Sequence, residues 1–107
     1  MPDGKPTSEQ LYLWKFAPIA RPDDPAWQGR QIWADFRIVA ATAGEAIWLA
    51  SRHDHAERGI SVERAQDRQQ LRSGLEDPRL YRLDRLQPVD SARLPRGTVI
   101  SKGRFVP

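Results

Sequence analysis

The chain has 107 residues, 39% of them hydrophobic and 29% charged, no cysteine, and a formal net charge of +3. That length allows one domain with one core, and that balance belongs to a globular chain rather than a disordered one. The absence of cysteine excludes disulfide staples and thiolate-bound zinc.

No apolar run approaches the roughly 20 residues that a membrane span requires. The N-terminal residues, Met1 to Gln10, lack the apolar segment of a signal peptide. The expected location is therefore cytoplasmic, with no membrane contact. Charge is unevenly distributed. Residues 1–57 carry six Lys/Arg against eight Asp/Glu, net −2, whereas residues 58–107 carry eleven against six, net +5. Arginine supplies fourteen of the seventeen cations. Such a half suits phosphates or an acidic protein, and an arginine-biased genome would produce it equally well.

Residues 1–9 read as a flexible tail. From Leu11 to Ile19 the pattern is extended, with Tyr12, Trp14 and Phe16 on one face and Leu11, Leu13 and Ala17 on the other. Two apolar faces place this strand inside a sheet or under cover on both sides. The segment Arg21 to Gly29 is a turn-rich connection, stiffened by Pro22 and Pro25 and by aspartates suited to Asx turns. Its Trp27 is expected to fold back as a lid over the sheet edge. A second strand, Gln31 to Ala41, puts Ile32, Ala34, Phe36, Ile38 and Ala40 on one face and Trp33, Asp35, Arg37 and Val39 on the other. The first set is uncharged and should meet a helix.

That helix follows without a loop. Thr42 and Glu45 have the spacing of a capping box, in which the Thr42 side chain accepts from the Glu45 N–H and the Glu45 carboxylate reaches back to the Thr42 N–H. The helix should run from about Ala43 to Arg58, with Gly59 as its left-handed stop. Ala43, Ala46, Ile47, Leu49, Ala50, His53 and Ala56 share one half of its surface. Trp48 falls on the opposite half, near Ser51, Arg52 and His55. Either a later segment packs against it or it belongs to an interaction surface.

Beyond Gly59, residues 60–73 offer good helix formers but a thin apolar stripe, so any helix there has little burial to hold it. Leu80 to Leu86 reads as a strand with Tyr81 and Leu83 on one face, or as a helix with Asp77 as cap and Pro78 at its first position. The strand is favoured because a two-stranded sheet alone would be marginal. The β-branched residues from Gly97 to Val106 can add one short edge strand. The residues expected in the core are Leu13, Ile32, Phe36, Ile38, Ile47, Leu49 and Ala50.

Signals for chemistry are few. His53 and His55 are two apart on a helix, so they point about 200° away from each other and cannot share one metal ion. His53 with Glu57 supplies only two ligands, where zinc needs three or four. None of the six serines lies in a Gly-x-Ser-x-Gly elbow, and the seven glycines form no phosphate loop or dinucleotide fingerprint. No enzyme activity, cofactor or metal is expected. Asp23-Asp24 and Glu76-Asp77, each beside a proline, read as turn formers. Arg64, Arg68 and Arg72, spaced i, i+4, i+8, form a basic stripe on one helical face, and phosphate binding needs such clustering.

Leu80-Tyr81-Arg82-Leu83-Asp84-Arg85-Leu86-Gln87-Pro88-Val89-Asp90, with the later Pro95-Arg96-Gly97, resembles the opening arginine motif of cholera-type ADP-ribosyltransferase toxins. In that family the arginine, here Arg82, supports the NAD site. The family's later Ser-Thr-Ser strand and catalytic glutamate have no counterpart here, so the resemblance implies no transferase chemistry. Trp14-x-x-x-Pro18, Asp24-Pro25-Ala26-Trp27, the Val39-Ala40-Ala41-Thr42 strand end and Glu45-Ala46 are together similar to small uncharacterised bacterial β-β-α proteins with an Asp-Pro-x-Trp turn. The likeness spans residues 11–50, with a possible later match at Asp77-Pro78. It implies a fold and no activity.

The expected architecture is α+β: a small antiparallel sheet of three to four strands packed on one main helix, in the order β-β-α-(α)-β. Residues 10–87 would form the domain and residues 88–107 a C-terminal extension. For function the leading expectation is a non-enzymatic protein-interaction module. Trp48 and Arg52 are its contact residues, because Trp and Arg dominate interface energetics. An unidentified protein or a second copy would be the partner. The alternative is nucleic-acid binding through Arg64, Arg68 and Arg72.

Overall fold

In the computed structural model, which describes residues 9–28, 30–58, 73–101 and 103–105, the first strand is β1 (Leu11–Pro18). There follow β2 (Ile32–Trp33), β3 (Phe36–Ala40), α1 (Ala43–Arg58), β4 (Tyr81–Val89), β5 (Val99–Ser101) and β6 (Arg104–Phe105). The main sheet is antiparallel with order β4-β1-β3-β5, and α1 covers one of its faces; β2 and β6 pair separately as a two-stranded ribbon. This is the α+β arrangement expected. The Tyr81–Val89 segment is strand rather than helix.

The doubly apolar pattern of β1 places it at the centre. Trp14 and Phe16 join the core under α1 with Phe36, Ile38, Ala40, Ala46 and Ala50. On the other face Leu11, Leu13 and Val39 form a second cluster, closed over by Ala41, Leu86, Val89 and Leu94. The β1–β4 register shifts between Tyr12 and Trp14. Such a bulge, together with Arg82, Arg85 and Pro88 along β4, blunts an edge that would otherwise pair with another chain.

The segment expected as one strand from Gln31 to Ala41 is interrupted at Ala34 and Asp35. Alternation cannot hold across the break. Ile32 and Trp33 are consequently both buried in the main core, although the pattern assigned Trp33 to the opposite face. Asp35 turns to its neighbour Arg37, 3.2 Å away, and the Ala34 N–H donates to Gly103 O at 2.9 Å. β4 continues beyond residue 87, and β5 forms the sheet edge beside β3. The chain after residue 87 thus contributes backbone pairing to the same body.

Trp27 is more than a lid. It is 1% exposed, within the main core, and its indole N–H donates to Arg21 O at 2.8 Å. Asp24 prepares its position by accepting from the Ala26 N–H at the start of a 3-10 turn, Pro25–Trp27. A second such turn, Gly74–Glu76, begins with a complete capping box between Ser73 and Glu76. It brings Leu75 and Leu80 into the core.

At the start of α1 the Glu45 N–H donates to Thr42 Oγ1 at 3.1 Å, as the capping pattern requires. The carboxylate departs from that pattern. Glu45 Oε1 accepts from the Ala41 N–H at 2.8 Å rather than from Thr42, while Oε2 pairs with Arg96, which also pairs with Glu9. The reach to Ala41 satisfies the first amide after β3, tying β3, α1 and the Pro95–Gly97 turn at one point. Among the expected core residues, Leu13, Ile32, Phe36, Ile38 and Ala50 are buried, whereas Ile47 and Leu49 are partly buried against the main cluster.

Candidate functional site

Helix α1 has two faces of interest. Its inward face is rotated from the expected one: Ala46, Ala50, Ser51 and Asp54 are buried, whereas Ala43 and Ala56 are exposed. Two of these buried residues are polar, Ser51 and Asp54, and Asp54 is 2% exposed. Its Oδ1 accepts from the Trp33 indole N–H at 2.9 Å and from Gln31 Nε2 at 2.8 Å. A buried carboxylate is tolerated because donors replace its lost water. The result pins β2 to α1 and fixes the plane of the Trp33 ring.

Trp33 is also held through its backbone and by ring packing. Tyr81 Oη accepts from the Trp33 backbone N–H at 2.9 Å, and Trp33 packs edge-on to Phe36 with ring centroids 5.0 Å apart. Burial pushes the Tyr81 phenol up to about 12, with the Trp33 N–H opposing that rise. The folded protein therefore keeps this proton above the pH near 10 at which a free tyrosine releases it. Stability is intact below pH 10 and falls as pH rises towards 12, by roughly 3 kcal/mol at most. Following phenolate absorbance against pH should show Tyr81 ionising late and together with unfolding. Ionisation of Tyr81 near pH 10 in the folded protein would refute it.

Above the Trp33 ring, His53 sits with its ring centroid 5.7 Å from those of both Trp33 and Phe36. Here α1 and the chain around β5 and β6 leave a cleft of about 300 Å³, lined among the described residues by Trp33, His53, Glu57, Ser101 and Gly103. Gly103 has φ +146°, a conformation that side chains resist, so at this position the chain meets the cleft as bare backbone. His53 and Glu57, one helical turn apart, do share this side. Among the described residues no group of three or more His, Cys, Asp or Glu side chains comes together to hold a metal ion.

The outward face of α1 carries Trp48 and Arg52, and the structure brings these two together. Trp48 is 57% exposed, and the Arg52 guanidinium lies 4.8 Å from the centre of its ring. Ser51, expected on this side, is buried and its hydroxyl has no hydrogen-bond partner among the described residues. Arg64, Arg68 and Arg72 lie outside the described residues. Of the described C-terminal arginines, Arg79 pairs with Asp77, Arg82 with Asp84, and Arg96 with Glu9 and Glu45. The Arg79 hydrogen bonds hold the Asp77 carboxyl down at about 2 in spite of its partial burial. Arg85 stacks over the Tyr12 ring at 4.7 Å. Three of the described C-terminal arginines are thus paired with carboxylates.

Comparison with known proteins adds no family: no family model matches the chain, and neither a curated protein nor a solved structure is significantly similar to it. Among the described residues no helix is long and apolar enough to cross a membrane.

Proposed function

We propose that the protein is a protein-interaction module, non-enzymatic, bacterial and cytoplasmic, whose contact face is the solvent side of α1. The observation that supports it is the exposure of Trp48 beneath Arg52. The core already holds Trp14, Trp27 and Trp33, so a fourth tryptophan left in water serves no packing need of the main cluster. Burying such a side chain against a partner is worth about 1.5–3 kcal/mol. The Arg52 stack holds both long side chains in place beforehand, which lowers the ordering cost of association. The matching partner surface is an apolar pocket rimmed by a carboxylate that can take the guanidinium.

Placement in the cytoplasm draws on the cysteine-free sequence, and a bacterial source on the β-β-α resemblance. The engagement of Arg79, Arg82 and Arg96 by carboxylates favours a protein partner over nucleic acid.

Affinity capture from the native cell, followed by reconstitution with the purified partner, tests the reading. Trp48→Ala should weaken binding at least tenfold while moving the melting temperature by no more than a degree or two. Arg52→Glu should weaken it further than Arg52→Ala. Equal capture by wild type and Trp48→Ala would overturn the assignment, as would a large thermal loss in that variant. Retention on DNA or RNA that fades between low and moderate salt, with no protein captured, would favour nucleic acid instead.

A further inference from the structure

We infer that the open end of the sheet face opposite α1 is a second interaction surface, separate from the Trp48 face, for an acidic segment of a partner protein. Trp14, Phe16, Phe36 and Ile38 belong to the core under α1, so alternation sends Lys15, Ala17 and Arg37 to the other side of the sheet. One end of that side is closed by the Leu11, Leu13 and Val39 cluster with Leu94 against it. Towards the other end a single row crosses four strands, in which Asp84, Lys15, Arg37 and Ile100 are successive cross-strand neighbours. Arg82 stands beside Ala17 in the next row. Ile100 is 40% exposed. Arg82 is exposed as well, and Lys15, Ala17 and Arg37 are half-buried, so the row lies within reach of a partner.

The charges on this face select the occupant. Lys15 and Arg37 are directly opposite each other, and like charges so placed destabilise a sheet. The neighbouring carboxylates are turned elsewhere: Asp84 pairs with Arg82 at 3.0 Å and Asp35 with Arg37 at 3.2 Å. Among the described residues no carboxylate pairs with Lys15. Lys15, Arg37 and Arg82 against Asp35 and Asp84 leave one positive charge over, on the central strand. Arg37 reaches Asp35 through Nε and Nη2, and Arg82 reaches Asp84 through Nε, so both guanidiniums keep further N–H donors. A carboxylate brought to Lys15 neutralises the surplus, relieves the repulsion and accepts from the adjoining guanidinium. Ile100 and the short Ala17 add apolar contact on either side, which suits a peptide mixing acidic and apolar residues rather than a bare ion. Nucleic acid is the less suitable occupant, because none of these residues is aromatic and bases need such a platform.

The test is titration of the whole protein with the peptide acetyl-Glu-Val-Glu-Val-Glu-amide, with its Gln-for-Glu counterpart and with a thymidine oligonucleotide, following backbone amide resonances. Saturable shifts at Lys15, Arg37 and Ile100 are expected with the Glu peptide, fading as salt rises, and none with the Gln peptide. Lys15→Gln should weaken binding about fivefold, the effect of losing one partly exposed ion pair. Lys15→Glu should abolish it and Lys15→Arg preserve it. Because the like-charge contact is gone, Lys15→Gln without peptide should melt no lower than wild type at low salt. Unchanged affinity in Lys15→Glu, equal shifts with the Gln peptide, or a lower melting temperature of Lys15→Gln would overturn the inference. Tighter binding of the oligonucleotide than of the Glu peptide would also overturn it, by assigning the face to nucleic acid. Trp48→Ala should leave the peptide affinity intact. Its loss in that variant would merge the two surfaces and overturn the inference, whereas a failed partner capture through Trp48 leaves this surface standing.

Discussion

Trp27→Ala should lower stability by about 3–5 kcal/mol, the cost of emptying a large aromatic site in a core. In a domain near 100 residues each kcal/mol moves the melting temperature by about 4–8 °C. Thermal denaturation of this variant should therefore fall by about 15 °C or more. The ring packs edge-on to Tyr81 with centroids 5.3 Å apart, and a Cβ placed on Gly74 would lie 3.6 Å from its Cζ3 atom. Removing it leaves a void between the Arg21–Arg30 connection and the Gly74–Glu76 turn, which no neighbouring backbone can close. Trp27→Phe should retain most of the burial and lose only the hydrogen bond to the Arg21 carbonyl, about 1 kcal/mol. A melting temperature unchanged in Trp27→Ala would show that this connection is not part of the cooperative unit.

Asp54→Ala should cost roughly 3 kcal/mol, for a different reason. The variant leaves the Trp33 indole N–H buried without an acceptor and releases Gln31, and each orphaned donor costs about 1–3 kcal/mol. Asp54→Asn keeps one acceptor oxygen and should lose clearly less. Chemical denaturation measures both, and the Trp33 indole proton resonance supplies the local readout. It should move sharply in Asp54→Ala and only slightly in Asp54→Asn. Equal stability of Asp54→Ala and wild type would mean that the carboxylate does not secure β2 to α1.

Periodicity revealed the elements that are long and regular. β1 announced itself through two apolar faces, and the strand-to-helix junction through Thr42 and Glu45. What escaped was local. The break at Ala34 and Asp35 is invisible because Ile-Trp-Ala-Asp-Phe still alternates in print, so Trp33 was assigned to the wrong side. Asp54 escaped because polarity alone sends a carboxylate to solvent; only the two donors that meet it from Gln31 and Trp33, more than twenty residues earlier, reverse that rule. The cleft escaped for a similar reason. His53 and Glu57 were legible as sharing a helical face, but Ser101 and Gly103 reach them only because β5 pairs with β3 and β6 with β2. The exposure of Trp48 was legible from the helical projection as one of two outcomes, and its stacking with Arg52 from their i, i+4 spacing.

The pairing of Leu11 with Val89 and of Pro18 with Tyr81 has a bearing on biogenesis. During vectorial synthesis the middle strand leaves the ribosome first, yet one of its flanks stays vacant until some seventy residues more have been translated. Non-local closure of this kind slows the folding step. The nascent polypeptide therefore spends that interval with an aromatic surface uncovered, a stage at which holdase chaperones have something to grip.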